Sequence, residues 1–304
     1  MTGSARWHHG YMDQGAQDAP QARVGIIGGS GIYKLTGPAV QAAVTVQTPY
    51  GPPSGPLTLA ELAGRAVVFL PRHGAGHSLP PRQINYRANL WALKSLGVEA
   101  VISSAAVGGL RAGYAPETFM VPDQLIDRTW GRADTFFDGT VAGGAEAAGV
   151  QYLPAADPFC PGLRARLTAA LADRQLPHAS AGTVVVINGP RFSTRAESAW
   201  YAAAGADIIS MTQYPEPVLA AELNMGFATL GYITDSDTGH DGSDPVTAEA
   251  VFARLKNAQP DILAVIDATV AAIGQDYVPP RLMDPAAVRR IMALPLDLAT
   301  ASSQ

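Results

Sequence analysis

The chain has 304 residues, of which 47% are hydrophobic and 15% charged, and it carries a formal net charge of −5 with a pI near 5.6. This composition is typical of a folded globular enzyme and excludes a disordered or fibrous protein. A negative net charge argues against a nucleic-acid partner, whose backbone requires a basic surface, and no apolar run is long enough to span a bilayer, which argues against a membrane protein.

The domain organisation follows from the ends of the chain. Residues 1–22 are polar and contain no apolar targeting segment, so they are predicted to form a disordered tail. No linker or repeat divides the remainder, which predicts a single domain over residues 23–280 and a C-terminal extension over residues 281–304. Cys160 has no partner for a disulfide or a metal site, which favours a reducing, cytoplasmic location.

From Val24 onward, short β-branched runs alternate with longer amphipathic stretches. This alternation is typical of strands joined by crossover helices. The expected fold class is therefore α/β, with a central mixed, largely parallel β-sheet flanked by helices. The predicted strands cover residues 24–27, 66–70, 100–103, 184–187, 208–210 and 228–233. A helix is predicted over residues 85–96, closed by Gly97, and a second begins at the capping box formed by Thr194 and Glu197.

Three of these strands end in residues suited to binding an anion. The first runs into Gly28-Gly29-Ser30-Gly31, where backbone N–H groups and a hydroxyl can converge, although a plain turn explains this segment equally well. The second ends at Arg72-His73, which supplies a guanidinium fork and a further donor. A surface ion-pair site is an equally good interpretation of this pair. The third ends at Ser103-Ser104. Because parallel strands place ligands at their carboxyl ends, the three ends are expected to meet around one phosphate ion.

Two carboxylates, Asp235 and Asp237, follow the strand over residues 228–233. Buried carboxylates this close repel each other, so one of them should keep its proton at neutral pH and be able to donate it. A carboxyl group that accepts one hydrogen bond and donates another suits adenine, with its exocyclic amino group and N7. A calcium loop that includes Asp241 is an alternative, although the full twelve-residue pattern is missing. A second alternative is that these aspartates have purely structural roles, in a loop or as helix caps.

Together these segments resemble the purine nucleoside phosphorylase superfamily, and within it the 5'-methylthioadenosine phosphorylases. The motifs that carry the resemblance occur in the family's order between Val24 and about Ile273: VGIIGGSGIY, TPYGPPS, LPRHGAGHSLPPRQINYRANLWALKSLG, VPDQLIDRTWGR, ADPFCP, INGPRFSTRAES, GADIISMTQYPEPVLAAEL and ITDSD. The resemblance implies the nucleoside phosphorylase fold and a homotrimer. It also implies that inorganic phosphate is a co-substrate and that neither a cofactor nor a metal is needed.

The resemblance also implies roles for individual residues. Those expected to bind phosphate are Ser30, Arg72, His73, Ser104, the backbone around Ala105, and Thr212. Met211 would lie under the ribose and Phe192 against the base, while Asp235 and Asp237 would face the amino group and N7. Glu197 lies within a matching motif, but its capping box already explains it.

The specificity positions favour an adenine substrate. The 6-oxopurine phosphorylases of the family carry Glu and Asn where this chain has Ser193 and Asp235, and a carboxylate would repel a 6-oxo oxygen. Around the 5' substituent, a His that the family supplies from a neighbouring subunit corresponds to Tyr152, and a small apolar residue to Ala248. The family's usual Thr-Thr-Ala-Cys is replaced here by the run from Ser103 to Ala106, which keeps a hydroxyl.

The expected activity is phosphorolysis of 5'-methylthioadenosine to adenine and 5-methylthioribose 1-phosphate, with Asp235 assisting departure of the base. A phosphorylase of 5'-methylthioinosine or of general purine nucleosides is the alternative within the family. A nucleoside hydrolase would have no use for the Arg72-His73 phosphate site. A non-catalytic nucleoside-binding protein remains open because fold alone does not specify activity.

Overall fold

A computed structural model describes residues 23–29, 40–138, 149–274 and 276–294. Several predictions lie outside these residues: the N-terminal tail, the phosphate-binding role of Ser30, and the last part of the C-terminal extension.

The strands are β1 (Arg23–Gly28), β2 (Val40–Val44), β3 (Leu57–Leu62), β4 (Arg65–Pro71), β5 (Val98–Gly109), β6 (Phe119–Met120), β7 (Gln124–Arg128), β8 (His178–Ala179), β9 (Thr183–Ile187), β10 (Ile208–Ser210) and β11 (Gly226–Asp235). The α-helices are α1 (Tyr86–Ser95), α2 (Pro161–Asp173), α3 (Arg195–Ala203), α4 (Glu216–Glu222), α5 (Ala248–Ala272) and α6 (Pro285–Met292), and short 3₁₀ turns cover Ala75–His77 and Pro81–Gln83.

The strands form one mixed sheet, as predicted. Its main path has the order β2-β3-β4-β1-β5-β10-β9-β7, and β11 branches from β5 towards β6 and β8. The pairs β1–β4, β1–β5, β5–β11, β9–β10 and β7–β9 are parallel. The pairs β2–β3, β3–β4, β5–β10 and β6–β11 are antiparallel.

Helices cover both faces of the sheet, because alternate side chains of its central strands point in opposite directions. In β1, Ile27 packs into the cluster that holds α1, α4 and α6, whereas Val24 and Ile26 pack into the cluster that holds α2 and α5. The strands buried on both faces therefore read as nearly continuous apolar runs.

The predicted helices are confirmed at their ends. Asn85 caps α1 by accepting a hydrogen bond from the Ala88 N–H at 3.1 Å, and Gly97 follows the helix with a φ of 82°. At the start of α3, the Thr194 hydroxyl accepts from the Glu197 N–H at 3.2 Å while the Glu197 carboxylate accepts from the Thr194 N–H at 2.8 Å. This is the reciprocal pattern of a capping box.

Strand β5 is longer than predicted and divides the sheet. It continues to Gly109, beyond the predicted end at residue 103, because its small residues pair with β11 as far as Gly108. On its other edge β5 pairs with β1 up to Ser103 and with β10 only at Gly108 and Gly109. Within the described part of the chain, residues 104–107 have no strand partner on that edge. The sheet therefore opens at this point.

The predicted C-terminal extension is packed against the domain as far as residue 294. Helix α6 buries Ala287 and Ile291 in the core, and the Trp91 indole N–H donates to the Ile291 carbonyl at 3.2 Å. The domain boundary at residue 280 stays a prediction. Among the described residues, none of the helices combines the length and apolar character needed to cross a membrane.

Candidate active site

A cavity of about 220 Å³ opens where the edge of β5 is unpaired. Its walls come from the residues that end or follow β4, β5, β9, β10 and β11, and from the first turns of α5. This is the crevice at which open α/β sheets bind ligands, beside the carboxyl ends of their strands. Predicted site residues that line it together are Arg72, His73, Phe192, Ser193, Met211, Thr212, Asp235, Asp237 and Ala248.

Of the predicted site residues that the structure describes, Ser104, Ala105 and Tyr152 do not line this cavity. Ser104 and Ala105 are buried in β5, and the Ser104 carbonyl reaches the site indirectly by accepting a hydrogen bond from Arg72 Nη1 at 2.8 Å. Tyr152 is 87% exposed on the surface. The role that the resemblance implies for Tyr152, in a neighbouring subunit's site, stays a prediction.

Arg72 is held at the carboxyl end of β4 by a dense set of acceptors. Its side chain is 1% exposed, and its Nε and Nη2 atoms form a two-point ion pair with Glu216 at 2.5 and 2.9 Å. Nη2 also donates to the Ser103 hydroxyl, and Nη1 lies beside the end of β1, where a Cβ on Gly29 would approach it to 2.7 Å. The ends of β1 and β4 and the middle of β5 thus converge on this guanidinium.

His73 is a neutral side chain in this setting. Burial, reinforced by the positive charge of Arg72, lowers the pKa of His73 to about 3. Its Nδ1 lies 2.8 Å from the Leu79 carbonyl, so Nδ1 carries the ring hydrogen and donates it to that oxygen. The remaining nitrogen, Nε2, is then an acceptor. An acceptor at this position can bind the hydroxyl of a protonated phosphate. The sequence had instead predicted that His73 donates a hydrogen bond to the anion.

Asp235 lies at the end of β11, where the strand shifts register opposite Gly108. One carboxyl oxygen accepts from the Thr234 hydroxyl at 2.7 Å and the other from the Asp237 N–H at 2.9 Å. Burial raises the pKa of Asp235, while these hydrogen bonds and the charge of Arg254 oppose the rise. Gly108 allows this arrangement, because a Cβ there would come within 2.8 Å of the Asp235 carboxylate.

Asp237 is the second carboxyl group of the cavity, and it is 2% exposed. Burial raises its pKa, the Ser198 hydroxyl opposes the rise by donating a hydrogen bond, and the nearby charge of Asp235 adds to it. Its Oδ2 is buried without a hydrogen-bond partner. Because a buried polar atom without a partner costs free energy, this oxygen is suited to a ligand group that can pair with it.

The cavity wall also includes Met211 and Phe192. Gly189, with a φ of 63°, lies so close to Met211 that a Cβ would fall 2.6 Å from its sulfur. Arg132 holds the backbone here by donating to the Met211 carbonyl at 2.8 Å. Phe192 lines the cavity and is 39% exposed, so part of this aromatic side chain is accessible to a ligand.

Sequence reasoning missed several residues in or next to the cavity wall. Glu216, the partner of Arg72, gave no signal because its contact is 144 residues distant in the chain. His77 stacks on His73 with ring centroids 4.0 Å apart, and Phe252 packs edge-on against His77 at 5.7 Å. The short spacing from His73 to His77 was a signal for the first contact. No motif in the sequence around Phe252 predicted its contact with His77.

The calcium-loop alternative finds no support in the geometry. The Asp241 carboxylate accepts from the Ser236 hydroxyl at 2.6 Å and from the Ser243 N–H at 3.0 Å, which stabilises its own loop. Across the described ranges, no three His, Cys, Asp or Glu side chains lie close enough together to hold a metal ion.

Comparison with known proteins places these residues in a family context. The family model of the phosphorylase superfamily matches residues 23–271. The chain is 46% identical to the S-methyl-5'-thioadenosine phosphorylase of Mycolicibacterium smegmatis, over 82% of this chain and 91% of the relative. It is 48% identical to the purine nucleoside phosphorylase of Streptomyces coelicolor, over 76% of this chain and 82% of the relative.

Solved structures agree with the sequence comparisons. The methylthioadenosine phosphorylase of Schistosoma mansoni in complex with adenine superimposes with a TM-score of 0.79 and 35% identity, covering 83% of this chain and 91% of that one. A family match over most of the chain, together with the same architecture in a solved structure, confirms the fold predicted from the sequence. The chain belongs to the phosphorylase superfamily.

Proposed function

We propose that this protein cleaves 5'-methylthioadenosine with inorganic phosphate and releases adenine and 5-methylthioribose 1-phosphate. The observation that carries the proposal is a single cavity with two buried carboxyl groups, Asp235 and Asp237, and with the Arg72-His73 pair also in its wall. Similarity to several proteins named S-methyl-5'-thioadenosine phosphorylase supports the choice of nucleoside.

In the proposed reaction the bond between C1' of the sugar and N9 of adenine breaks, and a phosphate oxygen forms the new bond to C1'. The sugar passes through an oxocarbenium-like state. Asp235 assists the departing base by supplying a proton at N7, while the amino group donates to a carboxyl oxygen of the Asp235 and Asp237 pair. The unpartnered Oδ2 of Asp237 supports a ligand contact at this end of the cavity.

At the other end the phosphate is held below the sugar. Arg72 and Thr212 supply donors, and Nε2 of His73 accepts the hydroxyl of a protonated phosphate. Ser30 and the backbone around Ala105 are proposed to complete this subsite. Holding nucleophile and sugar in this geometry contributes several kcal/mol to the lowering of the barrier. The proposal requires neither a metal nor a cofactor.

General purine nucleoside phosphorolysis is the second candidate. The Streptomyces coelicolor relative, which carries that name at 48% identity, is the observation in its favour. The presence of Ser193 and Asp235 at the specificity positions favours the 6-amino substrate instead, because a carboxylate repels a 6-oxo oxygen.

A product assay tests the proposal. 5'-Methylthioadenosine, 5'-methylthioinosine, adenosine and inosine are each incubated with the protein, with and without phosphate. We expect phosphate-dependent release of adenine, with 5'-methylthioadenosine the best substrate. Base release without phosphate would indicate a hydrolase, a preference for inosine would favour the second candidate, and no turnover would leave a non-catalytic binding protein.

A homotrimer is part of the proposal, together with a cytoplasmic location and a role in purine and methionine salvage. Tyr152 supports the oligomer, since this aromatic residue is 87% exposed in the single chain although the resemblance assigns its position to a neighbouring subunit's site. Sedimentation of the protein in solution should give a trimer. A stable, fully active monomer would contradict this assignment.

A further inference from the structure

The ion pair between Arg72 and Glu216 is one of the most buried polar contacts next to the cavity. Both side chains are 1% exposed, and the carboxylate receives Nε at 2.5 Å and Nη2 at 2.9 Å. The Ser103 hydroxyl joins them, since it accepts from Nη2 of Arg72 and donates to the same carboxylate at 3.2 Å. A two-point pair of this kind fixes the plane of the guanidinium as well as its position.

Most of the N–H groups of the Arg72 guanidinium already have an acceptor within the protein. A guanidinium has five N–H donors. Glu216 takes one from Nε and one from Nη2, Ser103 takes the second from Nη2, and the Ser104 carbonyl takes one from Nη1 at 2.8 Å. Among the residues that the structure describes, none accepts the second N–H of Nη1, an atom that lies beside Gly29 at the end of β1. Arg72 lines the cavity, whereas Glu216 does not.

We propose that Glu216 is a positioning residue, which acts through Arg72 by directing its remaining N–H at the phosphate. This inference rests on the proposed function, because it assumes that phosphate occupies the subsite beside Arg72. Glu216 touches neither phosphate nor nucleoside. Its contribution is to hold the guanidinium in one orientation before phosphate binds, so that no ordering is required at that step.

Glu216→Gln is the variant that separates orientation from volume. The glutamine amide offers one acceptor in place of two, and its NH₂ group then opposes an N–H of Arg72. Because two donors repel each other, the guanidinium must rotate and its free N–H loses its direction. We expect the KM for phosphate to rise roughly tenfold or more, with the KM for 5'-methylthioadenosine and the kcat at saturating phosphate unchanged within about twofold.

Glu222→Gln is a matched control on the same helix. Glu222 is also buried in α4, but its carboxylate accepts from the Thr135 hydroxyl and the Phe136 N–H, each at 2.7 Å, and not from Arg72. If loss of a buried carboxylate merely loosened the helix, both variants would lose kcat together and neither would change the KM for phosphate selectively. That result would overturn the positioning role.

Two further outcomes are informative. A lower KM for phosphate in Glu216→Gln would also overturn the inference, because it would mean that Glu216 acts only by offsetting the charge of Arg72. Equilibrium dialysis of inorganic phosphate against the wild type and both variants measures the same effect without turnover. If the wild type binds phosphate but does not cleave nucleosides, the proposed function fails while the role of Glu216 is still tested.

Discussion

Asp235→Asn tests the base end of the site with little disturbance to the fold. The asparagine carbonyl can still accept from the Asp237 N–H. Its amide nitrogen takes the place of the oxygen that now faces Thr234, and the Thr234 hydroxyl can turn to its second partner, the Val107 carbonyl at 3.3 Å, and accept from the amide. The variant therefore keeps the packing and removes the group that holds a proton.

The size of the effect follows from what replaces the carboxyl group. In the proposed reaction Asp235, which is 8% exposed, gives the base an acceptor and a proton source, whereas the amide offers no transferable proton and presents a donor towards the amino group. Mismatched partners in such a buried site stay unpaired, which costs roughly 2 to 4 kcal/mol in transition-state binding, or about 30- to 1,000-fold in rate. The preference for 6-amino over 6-oxo nucleosides should fall accordingly.

The assay is kcat/KM for 5'-methylthioadenosine and 5'-methylthioinosine at saturating phosphate, in the wild type and in Asp235→Asn. Ser193 cannot supply the Glu of the 6-oxopurine enzymes, so the second substrate should gain only in relative terms. An unchanged ratio between the two substrates would refute the assignment of Asp235 to the base.

Arg72→Ala should raise the KM for phosphate far more than that for the nucleoside and lower the free energy of unfolding by about 3 to 5 kcal/mol, because Glu216 is left buried and unpaired. Phosphate titration and urea unfolding measure the two effects, and an unchanged phosphate dependence would remove Arg72 from the site. Gly108→Ala would place a Cβ 2.8 Å from the Asp235 carboxylate, so we expect kcat/KM to fall at least roughly tenfold through displacement of that group, with the KM for phosphate little changed; full activity would show that the carboxylate position is not critical. Burial raises the pKa of Glu222 from 4.5 to about 7, so the folded state favours its protonated form and stability should decline as pH rises between these values. Glu222→Gln should remove about 3 kcal/mol of that decline, as measured by urea unfolding at pH 5 and pH 8, and an identical decline in the variant would contradict the buried-carboxyl explanation.

The strands that could be predicted are those whose own residues favour a strand. Five of the six predicted strands end within two residues of the observed bounds, since β-branched and apolar residues fill β1, β4, β9, β10 and β11. The antiparallel pair β2 and β3 was missed because Ala, Gln and Glu interrupt its apolar residues. These two strands form because they pair with each other, and their composition alone does not indicate a strand. β6 and β8 have only two residues each, too few for any periodicity to be seen.

The candidate site residues that could be predicted are polar residues at the end of a strand or directly after it. Arg72, His73, Asp235 and Asp237 stand at strand ends, and the parallel topology brings those ends together. Residues that act through a distant contact were not predictable. Glu216 follows a proline and begins a helix, so its sequence context suggests a solvated first turn rather than a carboxylate buried against Arg72.

The break in pairing along β5 bears on how this site can change through evolution. The Ser104 carbonyl faces the break, and because alternate residues of a strand direct their backbone groups to the same edge, those of Ala106 face it as well. Contacts made by main-chain atoms do not depend on which side chain the residue carries. Substitution of Ser-Ser-Ala-Ala for the family's usual Thr-Thr-Ala-Cys therefore leaves these contacts in place, provided that each replacement is small enough for the strand. The exception is residue 103, whose hydroxyl contacts Arg72 and Glu216 and is supplied equally by Ser or Thr.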